Sequence, residues 1–223
     1  MNYKIYTSYH KDELIDEYHL ENDDHHILYP THKNIDGINL NHLHDHLSDF
    51  CAMYYVYKNN KYSDFVGFEH YRRKLNIDFI NEYDLKEDEC IVYSYVKKME
   101  PIKKQYGINL SYNDWDAYIK IINTLYGENN IYTECLNNST ELVWDDIFMM
   151  SYNKFMQLAK FLFTIEDHFD TYIDSIYHFG KYNLNNYLSY YNNLYLMRPH
   201  MLERLTGVWI LNNFNKDRIY SIN

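Results

Sequence analysis

Apolar positions along this chain fall into short extended runs and longer stretches with helical spacing, separated by polar segments. Residues 3–9 alternate bulky and polar types, which predicts a first strand with Ser8-Tyr9-His10-Lys11 as the loop after it. Residues 50–58 are apolar enough for a buried helix, with Ser48 or Asp49 at its N-cap. Phe65-Val66-Gly67-Phe68 is rich in β-formers and reads as a strand buried on both faces. Further strands are predicted at 89–93 and in the apolar end of 143–150, where Asp145 and Asp146 read as a polar entry to a short strand. A helix is predicted from 113 or 114 to 125, with Trp115, Tyr118, Ile119, Ile122 and Leu125 on one face. Another is predicted over 153–169, striped by Phe155, Leu158, Leu162 and Ile165. A last helix, from near Met201, carries Leu202, Leu205, Val208 and Trp209 inward. Between these, 23–47 reads as a solvated or partly ordered loop, 95–106 as a basic mobile connection, and the tail from Asn212 as polar. Strands alternating with helices, with no repeat or linker, predict one α/β domain over residues 1–223.

Composition narrows the classes. At 223 residues, 46% of them hydrophobic and 18% aromatic, the chain can bury a sizeable core. A net charge of −11 argues against nucleic-acid binding, which needs a basic surface, so basic residues that do cluster gain weight. Cys51, Cys90 and Cys135 are odd in number and widely spaced, which suits a reducing compartment and neither a disulfide framework nor a zinc site. No apolar run approaches the ~20 residues that span a bilayer, and the first residues lack a secretion-signal pattern. The expected location is the cytoplasm. With only six glycines and neither G-x-G-x-x-G nor G-x-x-x-x-G-K, a dinucleotide fold or P-loop is disfavoured.

The candidate chemistry gathers after Phe68, where Glu69, His70, Tyr71, Arg72, Arg73 and Lys74 follow in a row. In open α/β sheets ligands bind at the carboxyl ends of strands, and adjacent arginines offer planar forks suited to phosphate oxygens. The alternative is a solvated strand end whose arginines pair with the chain's surplus carboxylates. Asp145 and Asp146 can perturb each other's ionisation and supply a general base, or simply form a polar turn. Glu203 and Arg204 either reach a cleft or form a surface ion pair. The literal D-x-D at Asp114-Trp115-Asp116 opens a helix, where acids favour the helix dipole, so capping is preferred to metal binding there. His42, His44 and His46 alternate as metal ligands on an extended segment would, but lack surrounding carboxylates at metal-site spacing.

Taken in order, these motifs resemble a family of polysaccharide-biosynthesis glycosyltransferases, long catalogued as a domain of unknown function in capsular and exopolysaccharide clusters. Its members with assigned activity are galactofuranosyltransferases. Asp64-Phe65-Val66-Gly67-Phe68-Glu69-His70-Tyr71-Arg72-Arg73 is similar to the family's D-Y-V-G-L-x-H-Y-R-R. The stretch from Asp49 to Asn59 is similar to E-L-T-A-L-Y-W-I-W-K-N, Asp146–Met150 to N-M-F-I-M, and Arg198–Trp209 to R-x-x-G-F-L-x-E-R-L-x-x-x-W. Asp49 and Asp146 depart from the family's Glu and Asn, and no glycine precedes Met201-Leu202. The resemblance implies a GT-A-like domain with a central, mostly parallel sheet flanked by helices. It implies a UDP-sugar donor held by His10, His70, Tyr71, Arg72, Arg73 and Arg198. Asp146 or Asp145 is the implied general base, with Asp49 in reserve, and Glu203 and Arg204 orient side chains or bind the acceptor. The acceptor implied by the resemblance is a glycan or lipid-linked glycan, met at the inner face of a membrane. The cofactor is left open: cations alone can stabilise the leaving diphosphate, or a divalent ion such as Mn²⁺ or Mg²⁺ recruited by His70 and a carboxylate. A nucleotide-sugar hydrolase and a catalytically inactive glycan- or partner-binding module are the alternatives.

Overall fold

The structure is a computed structural model that describes residues 1–109, 112–178 and 184–222, and the side chains of these outside 107–114, 170 and 172–197. In chain order the elements are β1 (Tyr3–Tyr9), α1 (Glu13–Glu17), β2 (His26–Pro30), α2 (His44–Leu47), α3 (Phe50–Lys58) and β3 (Phe65–His70). There follow α4 (Ile77–Glu82), β4 (Cys90–Lys97), α5 (Ile102–Asn109), α6 (Tyr112–Tyr126) and α7 (Ile131–Asn138). The chain closes with β5 (Glu141–Ser151), α8 (Tyr152–His178), α9 (Leu184–Asn213) and β6 (Ile219–Ser221).

The six strands form one mixed sheet in the order β2-β1-β3-β5-β4-β6. β1 pairs in parallel with β2 and β3, and β4 with β6, whereas β5 runs antiparallel to both β3 and β4. The parallel half thus leads to the centre of the sheet, where β5 reverses it. Alternation along the strands splits the core in two. Val66, Phe68, Val92, Phe148 and Met150 face the layer built by α3, α6, α8 and α9. Ile5, Ile91, Ile147 and Met149 face the smaller cluster closed by Leu75 and Ile80. Two glycines permit the close approaches that shape the site. A side chain at Gly67 would come within 3.0 Å of Leu75, and one at Gly207 on α9 within 2.6 Å of the Val143 carbonyl on β5.

β1 and α3 lie where the patterning puts them, and β3 runs to His70. Other expectations are corrected. The supposed loop at 23–47 contains edge strand β2 and helix α2. The supposed mobile connection at 95–106 is the end of β4 and most of α5. β5 begins at Glu141, so Asp145 and Asp146 lie within the strand and not ahead of it. α8 is longer than expected, α9 runs through Pro199 instead of starting after it, and the polar tail adds β6. The expected cap at Asn113 or Asp114 lies outside the described side chains. No described helix is long and apolar enough to cross a membrane.

Candidate functional site

Three interruptions of regular structure open a cleft at the carboxyl end of β3. The first is the end of β3 itself. Its pairing with β5 stops at Phe68 opposite Phe148, and the chain then folds back in a tight turn. The His70 N–H donates to the Arg73 carbonyl at 3.2 Å, and the Arg73 N–H to that of His70 at 2.9 Å. The Arg72 N–H donates to His70 Nδ1 at 3.3 Å. Beneath the turn, buried Glu69 accepts from Thr7 Oγ1 at 2.7 Å and from the Leu75 N–H at 2.8 Å. Because successive strand residues point to opposite faces, Glu69 pins the turn from one side while His70 enters the cleft from the other.

The second interruption is a bulge. Val92 of β4 pairs with Phe148 and Ser94 with Trp144, so Tyr93 alone lies opposite Asp145, Asp146 and Ile147. Such bulges re-aim side chains. Asp145 takes a φ of +66°, a left-handed conformation that Asp adopts more readily than most residues. The third is the junction of α2 and α3, where Ser48 has a φ of +50°. Asp49 sits at the N-cap of α3, but its carboxyl makes no capping hydrogen bond and faces the cleft instead.

The resulting cleft has a volume of about 210 Å³. Its walls are His70, Arg72 and Arg73 from the turn, Asp145, Asp146 and Ile147 from the bulge, Ser48, Asp49 and Phe50 from the junction, and Pro199, His200 and Glu203 from α9. Arg73 Nη1 meets Asp145 Oδ1 at 2.5 Å. The Asp145 N–H donates to Glu203 Oε1 at 3.1 Å, which ties the bulge to α9. Arg72 has no carboxylate partner among the described residues; its guanidinium lies 5.2 Å from the ring centre of Tyr71.

Charge in the cleft is unevenly compensated. Burial pushes the Asp146 carboxyl up to about 7, helped by the nearby carboxylates Glu203 and Asp145 and opposed by Arg73. Burial and Asp146 also raise Asp49 well above the usual carboxylate range, against the pull of Arg72. Asp145 is raised by burial but restrained by Arg73. Burial alone would raise Glu203, yet His200, Arg204 and the Asp145 N–H together hold it below its ordinary value. His70 is pushed down to about 4 by burial and by Arg72, His10 and Arg73. The cleft therefore offers an exposed cation, a neutral imidazole and two carboxyls that gain protons easily.

The expected site residues divide accordingly. Asp49, His70, Arg72, Arg73, Asp145, Asp146 and Glu203 come together. Tyr71 is buried under the turn, its ring 4.0 Å from that of His70 and 5.3 Å from that of His10. His10 is exposed beyond Tyr71 and does not line the cleft. Arg198 is corrected: it is buried, with Nε 2.7 Å from Glu166 Oε2 and its guanidinium 5.1 Å from the Phe169 ring. Arg204 is buried too, 2.9 Å from Glu203 and 4.4 Å from the Trp144 ring, so it supports Glu203 from behind. Ser48, Pro199 and His200 complete the cleft without having been expected there; only their adjacence to Asp49 and Arg198 marked them. His44 and His46 lie on α2, where residues two apart do not share a face. No group of three or more His, Cys, Asp or Glu among the described residues is arranged to hold a metal ion. Asp114 lies outside the described side chains.

A family model described as a domain of unknown function, DUF4422, matches residues 4–214. No curated protein matches the sequence. The apo structure of the bifunctional glycosyltransferase WbbM is similar over 99% of this chain and 44% of that one, with a TM-score of 0.72 and 21% identity. The chain thus spans less than half the length of that neighbour. The shared fold is GT-A-like, and the chain belongs to the DUF4422 family.

Proposed function

We propose that this member of the DUF4422 family is a glycosyltransferase. It moves a sugar, galactofuranose on the family resemblance, from a UDP-sugar to a glycan or lipid-linked glycan acceptor in surface-polysaccharide synthesis. One observation carries the reading: an arginine without a carboxylate partner among the described residues and a carboxyl poised near neutrality share one cleft of a GT-A-like fold. In this reading Arg72 binds the diphosphate and stabilises the charge that develops as its bond to the sugar breaks. Arg73 adds positive charge while anchoring Asp145. The acceptor hydroxyl attacks the anomeric carbon, the carbon–oxygen bond to the β-phosphate breaks, and UDP leaves. The hydroxyl proton passes to Asp146, whose value of about 7 suits a base working at neutral pH. The reading also supports work at a cytoplasmic membrane face, where a lipid-linked acceptor would be met.

Calorimetric titration with UDP and with a non-uridine nucleotide, in manganese and in chelator, tests the donor site. A UDP-release assay with UDP-galactofuranose, with and without glycan acceptors, then tests the reaction. Selective UDP binding and acceptor-dependent release are expected. UDP release with no acceptor requirement would replace the transferase by a hydrolase, and binding without turnover on any acceptor by a binding module.

A further inference from the structure

His70 and Asp49 meet in the cleft in an arrangement that the arginines do not share. The Arg72 N–H donates to His70 Nδ1, so that nitrogen carries a lone pair and no proton. A neutral ring with a bare Nδ1 bears its hydrogen on Nε2. The surroundings oppose a second proton: burial, then Arg72 on the same turn, His10 from the loop after β1 and Arg73 all disfavour a cation. Nε2 lies 3.9 Å from Asp49 Oδ2, beyond hydrogen-bond reach, and no other described group accepts from it. The Asp49 carboxyl is likewise unused as a helix cap. A donor and an acceptor therefore stand side by side on the cleft wall, each without a hydrogen-bond partner among the described residues.

We propose that His70 Nε2–H and the Asp49 carboxyl form a hydroxyl-recognition pair, a sugar subsite distinct from the phosphate-binding arginine. The chemistry selects the ligand. A sugar hydroxyl both accepts and donates, so one oxygen takes the hydrogen of Nε2 and gives its own to Asp49. A phosphate oxygen only accepts, and beside the ionised Asp49 carboxylate it would face lone pairs. Asp49 offers an accepting oxygen in either protonation state, so the pair works across the range in which the carboxyl titrates. The inference rests on the transferase reading and gives His70 and Asp49 a sugar-binding role within it. A site that commits two half-buried polar groups to one hydroxyl discriminates against a sugar lacking it.

Two measurements on the full chain test this. Long-range ¹H–¹⁵N spectra of the histidine rings report the tautomer without any ligand, and the Nε2–H form is expected for His70. A δ-protonated or doubly protonated ring at neutral pH overturns the pair. Calorimetry then compares UDP with UDP-galactose in its pyranose and furanose forms. The probes are applied to the wild type, His70→Asn and Asp49→Asn; Asn at position 70 keeps an acceptor for the Arg72 N–H but has nothing to match Nε2–H. Each variant is expected to lose about fivefold or more in affinity for whichever UDP-sugar the wild type prefers over UDP. UDP affinity itself should stay within about twofold. Equal losses for UDP and UDP-sugar would make the pair a phosphate site, and a wild type that gains nothing from either sugar ends the proposal. A wild type that binds none of the probes removes the transferase reading and the subsite together, while the tautomer still reports on the turn.

Discussion

Two arginine-and-carboxylate groups in this molecule use the same residue types to opposite ends. In the first, Arg198 on α9 meets Glu166 on α8, Glu166 accepts from the Tyr118 hydroxyl at 2.6 Å, and Phe169 covers the guanidinium. Every charge there is answered and the group is closed to solvent. In the cleft, Arg72 stands open beside Tyr71, and Asp49 and Asp146 are partly buried with no cation in contact among the described residues. A closed network joins helices; an open one is ready for a ligand. The difference lies in neighbours and burial, since side-chain type is shared.

Breaking each group should therefore damage a different property, most severely at Asp146. Asp146→Asn is expected to leave UDP binding intact and to lower transfer about a hundredfold or more, read in steady-state kinetics. Its pH behaviour sharpens the contrast. The folded value of about 7 lies above the ordinary 3.8, so the fold prefers the protonated carboxyl. Stability from that preference is complete below pH 4 and is lost as pH rises through 7, the same interval in which the proposed base becomes available. Wild-type turnover should rise with pH to near 7 and level off. Asp146→Asn should be the more stable protein at pH 8 and lose that advantage at pH 4, as denaturant midpoints would show. Retained transfer would move the base elsewhere, and a missing crossover would return the Asp146 carboxyl to the ordinary range. In the closed group, Arg198→Ala strands Glu166 in a buried position, and a loss of roughly 3–5 kcal/mol in unfolding free energy is expected. A variant that loses UDP affinity while keeping its stability would put Arg198 back in the site.

Much of the fold was legible because its inner strands and helices obey simple periods. β1, α3 and the apolar part of β3 declare themselves by alternation or by an unbroken apolar run. The failures share a cause: local polarity stood for a break in structure. β2 is an edge strand of only five residues, and its short apolar run lies between polar flanks that look like loop. The paired aspartates read as a turn because a bulge allows charged residues inside a strand. Pro199 read as the break ahead of a helix starting near Met201, since proline disrupts helix interiors, yet α9 passes through it. The site was legible where its residues are contiguous, at His70–Arg73 and Asp145-Asp146. Arg198 was misplaced because its partner Glu166 is 32 residues away, on a helix that reads as pure core stripe. Nothing in the local sequence distinguishes an arginine that will find such a partner from one that will not.

The finest version of the comparison lies between neighbours, Arg72 and Arg73. Arg73 is already engaged: its guanidinium holds Asp145 at 2.5 Å, yet its side chain is half exposed, so the pair contributes only about 0–1 kcal/mol to stability. Arg72 shares its charge with an aromatic face, a contact that leaves its N–H fork free to take a phosphate. Arg72→Ala should therefore weaken UDP binding by about tenfold with little change in the denaturation midpoint. Arg72→Lys should recover only part of that loss, because an ammonium cannot grip two oxygens in a plane. Arg73→Ala should cost UDP affinity less, about threefold, since part of its charge is spent on Asp145. Its clearer mark should fall on Asp146: without Arg73 nearby the carboxyl is raised further, and the acid limb of the rate profile moves to higher pH. Titrating UDP into both variants and following their pH–rate curves separates the two roles. Equal affinity losses with unmoved curves would mean that both arginines grip the diphosphate alike and that the Asp145 pair gives way when it binds.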